Sequence, residues 1–175
     1  MASKKLIQNK VINILNTCQI TEPPVDVNII AECLDISLEY VKFDDEQISG
    51  LLVNKDGKVR IGINQAQPST RQRFTIAHEI GHFVLHVNKP IFVDEVQQRF
   101  RDQASSEGVN SEEIEANAFA AELLMPENFI RADMATLKTW DKESLQQLAA
   151  KYQVSFEAFI YRLSNLNFEI DLLSL

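Results

Sequence analysis

Apolar residues recur at helical spacing near the start of the chain, through Leu6, Ile7, Val11, Ile14, Leu15 and Cys18, and predict an amphipathic helix over residues 4–18. Pro23-Pro24 interrupts the pattern, and Asp26 is placed to cap a second helix running to Cys33. From Ile36 the period shortens to that of strands. Ser37–Phe43 reads as one strand, and Ile48–Val53 with Lys58–Asn64 as a hairpin around Asn54-Lys55-Asp56-Gly57, where Asp-Gly suits a turn that needs positive φ. Pro68-Ser69-Thr70 signals a helix start, with Ser69 and Gln72 at capping-box spacing, and this helix is expected over Arg71–His86. Residues 88–110 are polar, broken by Pro90 and Gly108, and read as a long mobile connection. Asn110 or Ser111 caps the next helix and Pro126 ends it. Two more helices, near 141–151 and 156–166, are capped by Asp141 and Ser155. Helices, then a small sheet, then helices predict an α+β fold.

Composition changes this picture little. With 175 residues, 45% of them hydrophobic and 24% charged, the chain has the balance of one globular domain. Its formal net charge of −8 repels phosphate backbones, so electrostatic capture of nucleic acid is disfavoured. No stretch approaches the roughly 18–20 apolar residues of a membrane span, so no membrane partner is expected. Lys4 and Lys5 are followed by no uninterrupted apolar run, so no signal peptide is inferred and a cytoplasmic location is expected. Cys18 and Cys33 lack C-x-x-C spacing and are expected as two reduced, buried thiols rather than a disulfide.

Candidate chemistry concentrates in His78-Glu79-Ile80-Gly81-His82, an H-E-x-x-H motif. Residues four apart on a helix point the same way, so both imidazoles can meet one metal ion, and Glu79 beside them can accept a proton from water. Thr75, His78, Glu79, His82 and His86 share one narrow face, while nearly every other residue from 74 to 87 is apolar or glycine. A helix buried on most sides with one ionisable stripe needs partners for that stripe; hydrogen-bonded core histidines are the plain alternative to a metal. His86 lies about 12 Å along a straight helix from His78, too far to share an ion. A better third ligand is Glu113, on a helix where Glu113, Ala116, Asn117, Ala120 and Leu124 share a face and the small alanines permit close approach. Glu112 and Glu115 are the competing acids. Asn117, one turn on from Glu113, is placed to orient a ligating histidine through its other ring nitrogen.

Arg73-Phe74-Thr75-x-Ala77-His78-Glu79-x-Gly81-His82, with Glu113-x-x-Ala116-Asn117-x-Phe119-Ala120-Ala121-x-Leu123-Leu124-Met125-Pro126, resembles the ImmA/IrrE family of zinc metallo-endopeptidases. Pro24-Val25-Asp26, Ser49-Gly50, Val154-Ser155 and Arg162-Leu163 extend the likeness over most of the chain. The resemblance implies Zn2+ held by His78, His82 and Glu113, Glu79 as catalytic base, and a zincin-like fold of gluzincin type. That fold would comprise a small antiparallel or mixed sheet, an active-site H-E-x-x-H helix and a C-terminal helical hairpin. The expected organisation is one metallopeptidase domain over 1–175, with N-terminal helices in 1–35, the sheet in 36–64, the active-site helices in 65–126 and C-terminal helices in 127–175. The implied substrate is a repressor-type transcriptional regulator encoded nearby, whose cleavage relieves repression of mobile-element or stress-response genes. An extended substrate is expected on an edge strand, either Lys58–Asn64 or its hairpin partner. Tyr161, His86 and Arg73 are candidates for stabilising the oxyanion.

Two rivals remain at this level. Residues 144–166 resemble a helix-turn-helix with Val154-Ser155 at its turn, which would make the chain a DNA-binding regulator. The would-be reading helix, Phe156-Glu157-Ala158-Phe159-Ile160-Tyr161-Arg162, carries one cation among large apolar residues, which favours a packed hairpin. The other rival is a metal-binding docking protein without turnover.

Overall fold

The computed structural model describes residues 2–45, 47–86, 91–95 and 107–170. Helix α1 (Lys4–Thr17) begins at Ser3, whose hydroxyl accepts the Leu6 N–H at 3.2 Å, and buries Ile7, Val11, Ile14 and Leu15. Helix α2 (Val27–Cys33) is capped by Asp26, which accepts the N–H groups of Asn28 and Ile29. Strands β1 (Ile36–Val41), β2 (Ile48–Lys55) and β3 (Lys58–Asn64) follow, with β2 and β3 joined at Asp56-Gly57. Both turn residues have positive φ, 53° and 73°, as the sequence predicts for a tight hairpin. Helix α3 (Ser69–Leu85), strand β4 (Ile91–Glu95) and helices α4 (Glu107–Leu124), α5 (Glu127–Thr136), α6 (Lys142–Lys151) and α7 (Phe156–Asn165) complete the order.

The sheet runs β1-β3-β2-β4 and is mixed: β1 lies parallel to β3, while β2 is antiparallel to both β3 and β4. Inward residues of β2 and β3, Leu52, Val59, Ile61 and Ile63, join Ile76, Ala77 and Ile80 of α3, Phe119, Ala120 and Leu123 of α4 and the inner faces of α1 and α2 in one core. At the far end, Arg162 of α7 is buried, pairs with Glu122 of α4 and donates from Nε to the Met125 carbonyl at 3.1 Å. Glu122 also accepts the Glu127 N–H at 3.1 Å, so one ionic knot ties the C-terminal hairpin to the α4–α5 corner.

Several expectations need correction. The hairpin strands β2 and β3 are both interior, so neither offers a free edge; the edges are β1 and β4. Strand β4 arises inside the segment read as a connection, because three apolar residues carry too weak a pattern and pairing with β2 decides the matter. Residues 88–90 and 96–106 of that segment lie outside the described residues. Helix α4 starts at Glu107, so Asn110 and Ser111 fall within it rather than capping it. The Ser69–Gln72 capping box does not form: Pro68 precedes the helix, and Gln72 Nε2 donates instead to the carbonyls of Gln65 and Gln67, at 3.2 and 2.8 Å. Pro126 ends α4 but also opens α5, which the sequence pattern did not separate. Cys18 and Cys33 are a disulfide, not two buried thiols; the ends of α1 and α2 meet with Cα atoms 5.9 Å apart, and Cys33 is exposed. Among the described residues no helix is long and apolar enough to cross a membrane.

Candidate metal centre

Helix α3 passes between the sheet and α4, so its middle is enclosed. Every residue from Thr75 to His82 is buried. Two glycines permit this closeness. A Cβ on Gly81 would stand 3.1 Å from the Ala116 carbonyl oxygen and 3.2 Å from Phe119 Cβ, so α3 and α4 touch nearly backbone to backbone there. A Cβ on Gly50 of β2 would stand 2.3 Å from Thr75 Cγ2 and 3.6 Å from Glu79 Oε1, which puts the β2 backbone directly over the carboxylate of the motif. The close approach through Ala116 was legible in the sequence; the paired roles of Gly81 and Gly50 were not, since each depends on an element remote in the chain.

The structure brings together the three residues singled out as ligands. His78 Nε2 and His82 Nε2 lie 3.0 Å apart, with Glu113 Oε2 3.3 Å from the first and Oε1 3.1 Å from the second. These spacings are close to the edges, about 3.3 Å, of a tetrahedron with bonds of about 2.0 Å to its centre, the geometry of zinc with nitrogen and oxygen donors. Two imidazole nitrogens facing each other at 3.0 Å would otherwise oppose lone pairs unless a proton sat between them. The donor set therefore fits a divalent cation. The Glu113 side chain is 33% exposed while the two imidazoles are enclosed, so the cluster is open on one side.

Asn117, one turn beyond Glu113, places Oδ1 3.1 Å from His78 Nδ1. An Nδ1–H donating to that oxygen fixes the tautomer that leaves Nε2 facing the cluster. Burial pushes the His82 pKa below its ordinary value, with Glu113 pulling the other way. Burial alone would raise the Glu113 carboxyl, but hydrogen bonds and charge from His78 and His82 outweigh it and hold the group well below the usual carboxylate range. A carboxylate that stays ionised is the state a metal ligand requires of Glu113.

The competing acids stand elsewhere. Glu115 is buried towards α1, accepting the Ala2 N–H and lying 3.8 Å from His86 Nε2. Glu112 meets His86 through its backbone carbonyl at 3.3 Å. His86 itself follows the last turn of α3, its ring 5.5 Å from that of His82, and contributes no atom to the three-residue cluster. Of the other oxyanion candidates, Arg73 donates to the Val25 carbonyl on the α2 side, and Tyr161 sits exposed on α7.

The IrrE N-terminal-like domain family matches residues 31–164. Metallopeptidase ImmA of Bacillus subtilis is 28% identical over 141 residues, which are 79% of this chain and 77% of its own. Radiation response metalloprotease IrrE of Deinococcus radiodurans is 33% identical over 102 residues, 58% of this chain and 30% of its own. A solved Mycobacterium tuberculosis transcriptional regulator shares the fold, with a TM-score of 0.59 at 16% identity over 93% of this chain and 47% of that one. The chain thus spans most of ImmA but under half the length of the other two. With an H-E-x-x-H helix, a third acidic ligand candidate beside it and that match over most of its length, the chain belongs to the IrrE N-terminal-like, or ImmA/IrrE, family of metallopeptidases.

Proposed function

We propose that the chain is a zinc-dependent endopeptidase of gluzincin type whose single domain spans residues 1–175. In this reading His78, His82 and Glu113 hold the ion and Asn117 orients His78. The observation that carries it is the convergence of three side chains from two helices, two imidazole nitrogens and the two oxygens of one carboxylate 3.0–3.3 Å apart, on the helix that also buries Glu79. When bound, zinc would supply Lewis acidity towards the attacking water and the scissile carbonyl. Glu79 takes the proton from that water and delivers it to the leaving nitrogen. Its burial under Gly50 limits competing solvent. Strand β4 is the edge nearer Glu79, because it pairs with β2 at Gly50. An extended substrate segment adding to its outer side would therefore run past the base.

The substrate we infer is a repressor-type regulator encoded nearby, as the family resemblance implies, and a net charge of −8 suits a basic DNA-binding protein. Nucleic acid is not the inferred partner, since the only cation of α7 is buried against Glu122. Incubating the zinc-loaded chain with a helix-turn-helix regulator encoded beside it should yield discrete fragments. Chelation should stop the reaction, and Glu79→Gln should slow it by roughly 10²–10⁴-fold while retaining the metal. A regulator that binds the zinc-loaded chain yet stays intact would replace this reading with docking without turnover.

A further inference from the structure

The α6–α7 pair has no task in the peptidase reading. Helix α7 buries Phe159 and Leu163 in the core, and Phe156 and Ile160 pack beside them only half-buried. Phe156, Ile160, Tyr161 and Phe168 line an open groove of about 480 Å³ along it. Tyr161 is 69% exposed, and Trp140, whose ring meets that of Phe168 edge-on at 5.6 Å, extends the same surface. Scattered exposed aromatics are ordinary, but a contiguous apolar patch marks an interaction site. The groove residues recur one helical turn apart, the spacing that receives the ridges of another helix. Among the described residues, the one charged residue lining the groove is acidic. Glu157 lies in it and Glu169 beside it, both exposed, while Arg162 is turned into the core. Arg131 sits over the Phe168 ring and is paired with Glu127 at 2.7 Å.

We propose that this groove docks an amphipathic helix of the protein substrate, its apolar face on α7 and its lysines or arginines towards Glu157 and Glu169. The word substrate rests on the peptidase reading; the docking does not. The test uses the full zinc-loaded chain carrying Glu79→Gln. A synthetic leucine–lysine amphipathic helix should bind it saturably, with a stoichiometry of one, and more tightly than the same helix with glutamate for lysine. Ile160→Ser should weaken binding roughly tenfold or more, as for a central anchor residue. Tyr161→Ser, at a largely exposed position, gives the same readout where Ile160→Ser harms folding. In the active chain either substitution should raise KM for the cleaved regulator and leave kcat unchanged. Equal affinity of parent and variants, or preference for the glutamate helix, overturns the proposal. So does a dimer in sedimentation that Ile160→Ser dissolves, or binding that appears only when residues 171–175 are removed. Because the binding readout needs no hydrolysis, a chain without peptidase activity would still pass or fail it.

Discussion

Glu79 and Glu113 are the same residue type on adjoining helices, in different surroundings. Glu113 faces two imidazoles that hold it ionised, whereas Glu79, next to His78 in the chain, is buried under the β2 backbone. The same environments fix a pH dependence. The folded pKa of His82 lies below its ordinary 6.5, so the unfolded chain takes up that proton first and stability falls as pH drops through 6.5. Glu113 lies below its ordinary 4.5, so its contribution is full above 4.5 and fades as pH falls towards its lowered value. Both act in one direction, and the Tm of metal-free protein should fall steadily on acidification from about pH 7.5 to about pH 4. A flat or rising Tm would contradict the burial and pairing described. Asn117→Ala frees His78 Nδ1 from its acceptor, and a competition titration with a chelator should show metal affinity lowered by roughly 10–100-fold.

Elements carried their information unevenly. The H-E-x-x-H spacing, the stripe of Ala116 and Ala120, and the caps at Asp26, Asp141 and Ser155 are relations within a few residues, and helix geometry makes those readable. Strand β4, the interior position of β2 and β3, and the meeting of Cys18 with Cys33 depend on partners far away in the chain, which no local period encodes. The pairing of Arg162 with Glu122 belongs to the same class, across 40 residues. It also allows a test of how the C-terminal hairpin is held. Arg162→Ala leaves Glu122 buried without its cation and should lower unfolding free energy by about 3–5 kcal/mol, read from denaturant curves. Loss of under about 1 kcal/mol would place the hold in the apolar contacts of Phe159 and Leu163 instead.

At the scale of the whole molecule, the sheet and α2 lie against α3, α4 closes over it with α1 packed on α4, and the cluster stays open on the Glu113 side. An acidic surface and an apolar groove on α7 leave room for a basic protein partner away from the hydrolytic centre. The account stands on three side chains from two helices holding one ion, and metal content measures that most directly. After zinc loading and gel filtration, elemental analysis should find one zinc per chain in the parent protein, in Glu79→Gln and in Glu115→Ala, and almost none in Glu113→Ala or His82→Ala. Full zinc occupancy in Glu113→Ala, or loss of zinc in Glu115→Ala, would contradict it.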